Sequence, residues 1–159
     1  MISATTVRTR RVRWLHALCA LLVAAVIGGC TIRLISDYDE AIDTKASELQ
    51  KGMDAFLTHL EKPPGTMSAT YGANKTFYAT YAVDVRSLMV RAQAHPKNEL
   101  SVQQYKLLLD SLGELEKAHQ GEAGHEDDGT IPKEAIPTFR DLFNQSWAAI
   151  IRLEVAKKR

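Results

Sequence analysis

The chain has 159 residues, 45% of them hydrophobic, with 20 Lys plus Arg against 19 Asp plus Glu and a formal charge of +1. That length and apolar content suit one core-bearing domain and exclude a disordered or multidomain chain. Four arginines and no acidic residue fall within residues 1–29, so from residue 30 onward 16 basic residues face 19 acidic ones, which leaves no basic stripe for a nucleic-acid partner.

Arg8, Arg10, Arg11 and Arg13 precede an apolar run of 14 residues, Trp14 to Ile27, which ends at Gly28-Gly29-Cys30. A charged start, a short apolar run and a small-residue cleavage site are the parts of an export signal, read here as residues 1–29 with cleavage between Gly29 and Cys30. The arginines keep the N-terminus cytoplasmic and place the rest of the chain outside. Val26-Ile27-Gly28-Gly29-Cys30 resembles the lipobox of bacterial lipoproteins, in which the cysteine thiol takes a diacylglyceryl group before cleavage. The resemblance implies that Cys30 is lipidated and that the chain is held at the bilayer of the cell envelope, facing the periplasm. Thr31, standing where Asp would retain a lipoprotein at the inner membrane, favours the outer membrane in a host that has one. The alternative topology is an uncleaved anchor over residues 14–32, about 28 Å long as a helix. The Gly-Gly pair and the short apolar run argue against it. Cys19 leaves with the signal and Cys30 carries the lipid, so the mature domain stands on its core without a disulfide.

Residues 30–35 form the lipidated N-terminus and a short tether, and residues 36–159 read as a single domain of four amphipathic helices. In the first, Ile35, Tyr38, Ile42, Ala46, Leu49, Met53, Phe56 and Leu60 recur at steps of three and four. Ser36 with Asp39 forms a capping-box pattern at its start, and Pro63-Pro64-Gly65 stops it. A polar stretch to Ala73 follows, with Asn74 as the expected cap of a second helix carrying Phe77, Tyr81, Val85, Leu88 and Ala92 up to His95-Pro96. Ser101 with Gln104 is the expected cap of a third, whose stripe is Val102, Tyr105, Leu108, Leu112, Leu115 and His119, ending near Gly121. The fourth is expected to begin between Pro132 and Ile136, because proline is tolerated only in a first turn, and carries Ile136, Phe139, Phe143, Ser146 or Trp147, Ile150 and Leu153. Lys157, Lys158 and Arg159 close the chain where a helix dipole favours cations. The whole is an all-α, antiparallel four-helix bundle.

No metal or cofactor is expected. Gly124-His125-Glu126-Asp127-Asp128-Gly129 matches the middle of a calcium loop, with Glu126 and Asp128 at ligand positions, but Gly124 and Ala135 stand where its two end ligands belong. Glu116-x-x-His119 and Glu122-x-x-His125 match the ligand pair of di-iron bundles, yet they lie six residues apart instead of on facing helices. Tyr71 and Met67, in the first long loop, are candidate partner-contact residues. No haem, hydrolase-elbow, zincin or phosphate-loop motif is present.

Cys30 to Asp43, with Leu49-Gln50-Lys51, Phe56-Leu57 and the ending Leu153-Glu154-Val155-Ala156-Lys157-Lys158-Arg159, is similar to a group of uncharacterised small proteobacterial lipoproteins. That resemblance adds location and no activity. The sequence therefore points to a membrane-anchored, non-enzymatic binding module for an envelope partner. The alternative is a ligand- or metal-binding bundle, possibly enzymatic, with its site between helices or in loop 121–130.

Overall fold

A computed structural model of the protein describes residues 36–63 and 66–158. The signal region 1–29 with its cleavage site, Cys30, the tether 30–35, Pro64-Gly65 and Arg159 lie outside the described residues.

Four helices make up the domain: α1 Glu40–Leu60, α2 Tyr71–Gln93, α3 Glu99–His119 and α4 Ile136–Ala156. Among the described residues there is no strand, and no helix is long and apolar enough to cross a membrane. Each helix packs on two others, α1 and α3 both lying between α2 and α4, so the four form a ring around one core. Cross-helix bonds fix the direction of every pair. Asp54 meets Arg140 and Asp43 meets Lys158, so α1 and α4 are antiparallel. Leu49 with Tyr81 and Asp39 with Arg91 do the same for α1 and α2. Tyr78 with His119 orders α2 against α3, and Ser101 with Glu154 orders α3 against α4.

The apolar stripes turn inward almost as their spacing demands. Ile42, Ala46, Leu49, Met53, Phe56 and Leu60 are buried from α1, and Tyr81, Val85, Leu88 and Ala92 from α2. Tyr105, Leu108, Leu112, Leu115, Ile136, Phe143, Trp147 and Ile150 complete the core from α3 and α4. At mid-height Trp147 Nε1 donates to Tyr81 Oη at 3.0 Å, and that hydroxyl donates to the carbonyl of Leu49 at 3.0 Å. Two amphipathic rings are thus buried with their polar ends paired across three helices, which removes the cost of orphaned donors.

The helix starts differ from their sequence signals, each for a physical reason. Asp39, not Ser36, caps α1, accepting from the amides of Ala41 and Ile42. Thr70, not Asn74, caps α2, so Tyr71 is the first helical residue and no longer in the loop. Asn98 occupies the cap position of α3, and Ser101 sits buried in the first turn. Ser36 and Ser101 give their side chains to tertiary partners, while Asn74 donates back to the carbonyls of Ser68 and Thr70. α4 begins at Ile136 after a 3-10 turn at Lys133–Ala135, inside the range that Pro132 and Pro137 allow. Near its end the stripe shifts by one position, burying Glu154 and leaving Leu153 half-buried.

Candidate functional site

The least ordinary chemistry lies at the end of the bundle where α1 begins, α2 and α3 are joined, and α4 ends. Lys157 follows the last turn of α4, and instead of trailing into solvent its ammonium turns inward. It donates to Glu154 Oε1 at 2.6 Å, Asn98 Oδ1 at 2.7 Å and Ser101 Oγ at 3.1 Å. Three protons thus meet three acceptors. Ser101 Oγ donates onward to Glu154 Oε1 at 3.2 Å, and Asn98 Nδ2 donates to the carbonyl of Ala92 at 2.9 Å, closing the α2–α3 turn. Ser36 Oγ donates to Asn98 Oδ1 at 3.1 Å, which ties the incoming chain to the same knot. Glu154 is fully buried, as is Tyr105 below it on α3.

An outer ring surrounds this knot. Asp39 accepts from Arg91 Nε at 2.6 Å and Arg91 Nη2 at 3.1 Å, with His95 Nε2 3.1 Å from its Oδ2. The Arg91 guanidinium, helped by His95 and the two capping amides against partial burial, holds the Asp39 carboxyl down at about 2. Lys158 pairs with Asp43 at 2.8 Å and lies over the Tyr38 ring, which holds Asp43 below the usual carboxylate range. Lys157 and Lys158 stand where the helix dipole favours cations, and Lys157 in addition turns its ammonium inward onto buried partners. A Lys three residues after a Glu, on the helical face that carries Ile150, was the signal the sequence offered.

The opposite end holds the other sequence candidates. His119 is fully buried, its Nδ1 2.7 Å from Tyr78 Oη and its Nε2 2.8 Å from the carbonyl of Ala69. A carbonyl only accepts, so Nε2 carries the proton and Nδ1 accepts from Tyr78. Burial pushes the imidazole below its ordinary value, outweighing the Ala69 bond. With both nitrogens engaged, His119 latches the 3-10 turn Met67–Ala69 onto the bundle. Its partner in the Glu-x-x-His pattern, Glu116, accepts from Tyr71 Oη at 2.8 Å. Tyr71 is therefore half-buried beside Tyr78 and His119, while Met67 stands 84% exposed.

In the α3–α4 connection, His125, Glu126 and Asp128 all point into solvent. Glu126 accepts from the amide of Gly124 at 2.9 Å, Asp128 lies 3.7 Å from His125, and Asp127 reaches Lys75 at 3.1 Å. The carboxylates diverge onto separate partners. Among the described residues no group of three or more His, Cys, Asp or Glu side chains is placed to hold a metal ion. Backbone bonds from Gly121 to the carbonyl of Glu126 and from Tyr71 to that of Gly129 fold the loop onto the start of α2. His59 Nε2 donates to the carbonyl of Ser68 at 2.8 Å, again a structural contact.

Surface grooves of about 580, 550 and 480 Å³ indent the bundle. The first runs between the end of α2 and the start of α3, past His95, Asn98, Val102 and Lys106. Its one buried polar member is Asn98, already bonded on both sides. No protein-family model, curated protein or solved structure matches the chain.

Proposed function

We propose that the chain is a lipid-anchored envelope protein, acylated at Cys30, whose bundle faces the periplasm and works as a non-enzymatic docking module for another envelope component. The observation that carries this reading is Val26-Ile27-Gly28-Gly29-Cys30 at the end of a 14-residue apolar run behind four arginines. Thr31 after the cysteine favours delivery to the outer membrane in a host that has one.

The geometry gives the reading a direction. Five residues separate Cys30 from Ser36 and reach at most about 17 Å when extended. Because Ser36 is bonded to Asn98, the end holding Asp39, Asn98 and Lys157 is the end that anchoring would set against the headgroups. With α1 spanning 21 residues, about 31 Å, the Met67–Tyr71 segment and the loop around Asp127 stand away from the bilayer, where a partner would find them. A short tether restricts orientation and raises the effective concentration of anything at the same membrane.

Metabolic labelling with an acyl precursor tests the anchor: the wild type takes the label and Cys30→Ser does not. Equal labelling of both sinks it, and an unlabelled protein retaining residues 1–29 supports the uncleaved anchor. The docking role is tested by inserting about 30 Gly/Ser residues between Cys30 and Ser36, which lets the bundle wander by roughly 30 Å. Docking predicts loss of the deletion-complementing activity with fold and lipidation intact. The groove of about 580 Å³ between α2 and α3 supports a second reading, capture of a diffusing small molecule. Under that reading the long-tether variant keeps full activity.

A further inference from the structure

The knot around Lys157 is satisfied throughout except at two atoms. Glu154 Oε2 and Tyr105 Oη are both buried and neither has a hydrogen-bond partner among the described residues. Buried polar atoms of this kind are expensive, since each leaves bulk water on folding and receives nothing from the described residues. Their places in the fold bring them near each other, close enough that the Glu154 charge acts on the Tyr105 hydroxyl. Ser101 and Tyr105 are one turn apart on α3, and a helical side chain leans toward the N-terminus, so the Tyr105 ring rises over the turn that carries Ser101. Ser101 Oγ is itself bonded to the other oxygen of the same carboxylate, Glu154 Oε1.

The two orphans are also chemically complementary. Burial, with the Glu154 charge second, pushes the Tyr105 hydroxyl well above its ordinary value, so it keeps its proton and must donate. Glu154 Oε2 lies on the carboxylate paired with Lys157 and must accept. A direct bond between them would satisfy both, and they do not make one. What remains is a molecule that accepts from one and donates to the other.

We propose that Tyr105 Oη and Glu154 Oε2 form a binding site for one internal water, which accepts from the tyrosine hydroxyl and donates to the carboxylate. Two partners fall within the two to four that buried waters make, and such waters serve otherwise unsatisfied groups. The water is the last member of the network that joins Ser36, Asn98, Ser101, Glu154 and Lys157. It therefore links the α3 core to the end where the chain enters the bundle. The site is independent of the anchor reading, because it depends only on groups within residues 36–158.

High-resolution crystal structures of the protein and its Tyr105→Phe variant test it, with oxygen-17 relaxation dispersion as the measurement in solution. The expected result is one ordered peak within about 2.7–3.2 Å of both atoms. One long-lived water should appear in the dispersion profile of the wild type and be lost in Tyr105→Phe. Phenylalanine keeps the ring and so the packing, and Glu154→Gln, which keeps an oxygen or amide at both positions, should retain the peak. A direct Tyr105–Glu154 bond, or a dry site with an unchanged dispersion profile between the wild type and Tyr105→Phe, overturns the proposal.

Discussion

Lys157 Nζ lies 2.6 Å from Glu154 Oε1, three residues apart at the end of α4, with both side chains almost wholly out of solvent. Surface ion pairs contribute little, but a buried pair broken on one side leaves a charge with no compensation. Lys157→Met should therefore cost about 3–5 kcal/mol. The double variant Glu154→Met/Lys157→Met should cost less than Lys157→Met alone, since it removes both charges. Urea unfolding of the four proteins in a double-mutant cycle measures the coupling, and additive losses would show that the two side chains act separately.

At the other end, the sign of the pH dependence of His119 follows from its burial. Its folded-state value is below that of the unfolded chain, about 6.5, so unfolding takes up a proton as pH falls. Stability that is fully present above the unfolded value is lost as pH drops toward the folded one. Unfolding midpoints taken between about pH 7 and pH 5 should fall more steeply in the wild type than in His119→Gln. Glu116 and Tyr71 face the imidazole side of this cluster and are unchanged in the comparison. Tyr78→Phe, which strips the donor from Nδ1, should cost about 1–3 kcal/mol at neutral pH.

Asp39 behaves in the opposite sense. Its carboxyl is held at about 2, against an unfolded value of about 3.9, so the stabilisation it gives exists above pH 4 and disappears as pH falls through 2. Arg91 is the largest cause of that depression. In Arg91→Gln the carboxyl should move upward toward its ordinary value, read by NMR titration of the side-chain carboxyl. An unmoved titration would assign the depression to His95 and the capping amides instead.

These groups show what the sequence could and could not yield. Helix number, the core stripes and the breaks at Pro63, His95-Pro96 and Gly121 follow from three-and-four spacing and from turn chemistry, which are local. Ser36 and Ser101 carry cap-like patterns that a local reading assigns to their own backbones, but each is used across the bundle. Burying Glu154 instead of Leu153 needs the distances between α3 and α4, because the choice is between neighbouring positions on one turn and only the Lys157–Ser101 pairing decides it. The His119 latch was legible as a core position but not as a bond to Ala69, fifty residues earlier.

Gly129 sits where two stretches of backbone touch. A Cβ there would collide with the amide of Gly121, the carbonyl of His119 and the carbonyl carbon of Gln120. All three are backbone atoms, so no side chain can swing aside. Gly129→Ala should force the loop off α2, breaking the bond from the Tyr71 amide to the Gly129 carbonyl. Hydrogen exchange at the Tyr71 and Gly121 amides should rise sharply while that at Leu108 and Ile150, deep in the core, changes much less. Gly52→Ala is the control, because a Cβ at Gly52 meets nothing within 4 Å and alanine favours the helix.

The acidic connection between α3 and α4 makes the last prediction. A calcium cage needs six or more oxygens turned toward one point, closed by a bidentate carboxylate. Here Glu126 bonds the Gly124 amide, Asp127 pairs with Lys75 and Asp128 faces His125, so gathering the three would first break each of these contacts. His119 offers iron no nitrogen either, since Tyr78 and Ala69 hold both. A ligand at a hundred times its dissociation constant stabilises a fold by about 2.7 kcal/mol. Millimolar calcium or ferrous iron should therefore leave the melting temperature where it is, and Asp128→Ala should respond to either metal as the wild type does. A saturable rise that Asp128→Ala abolishes would mean that the loop rearranges around the ion, and would favour the metal-binding reading over the proposed docking role.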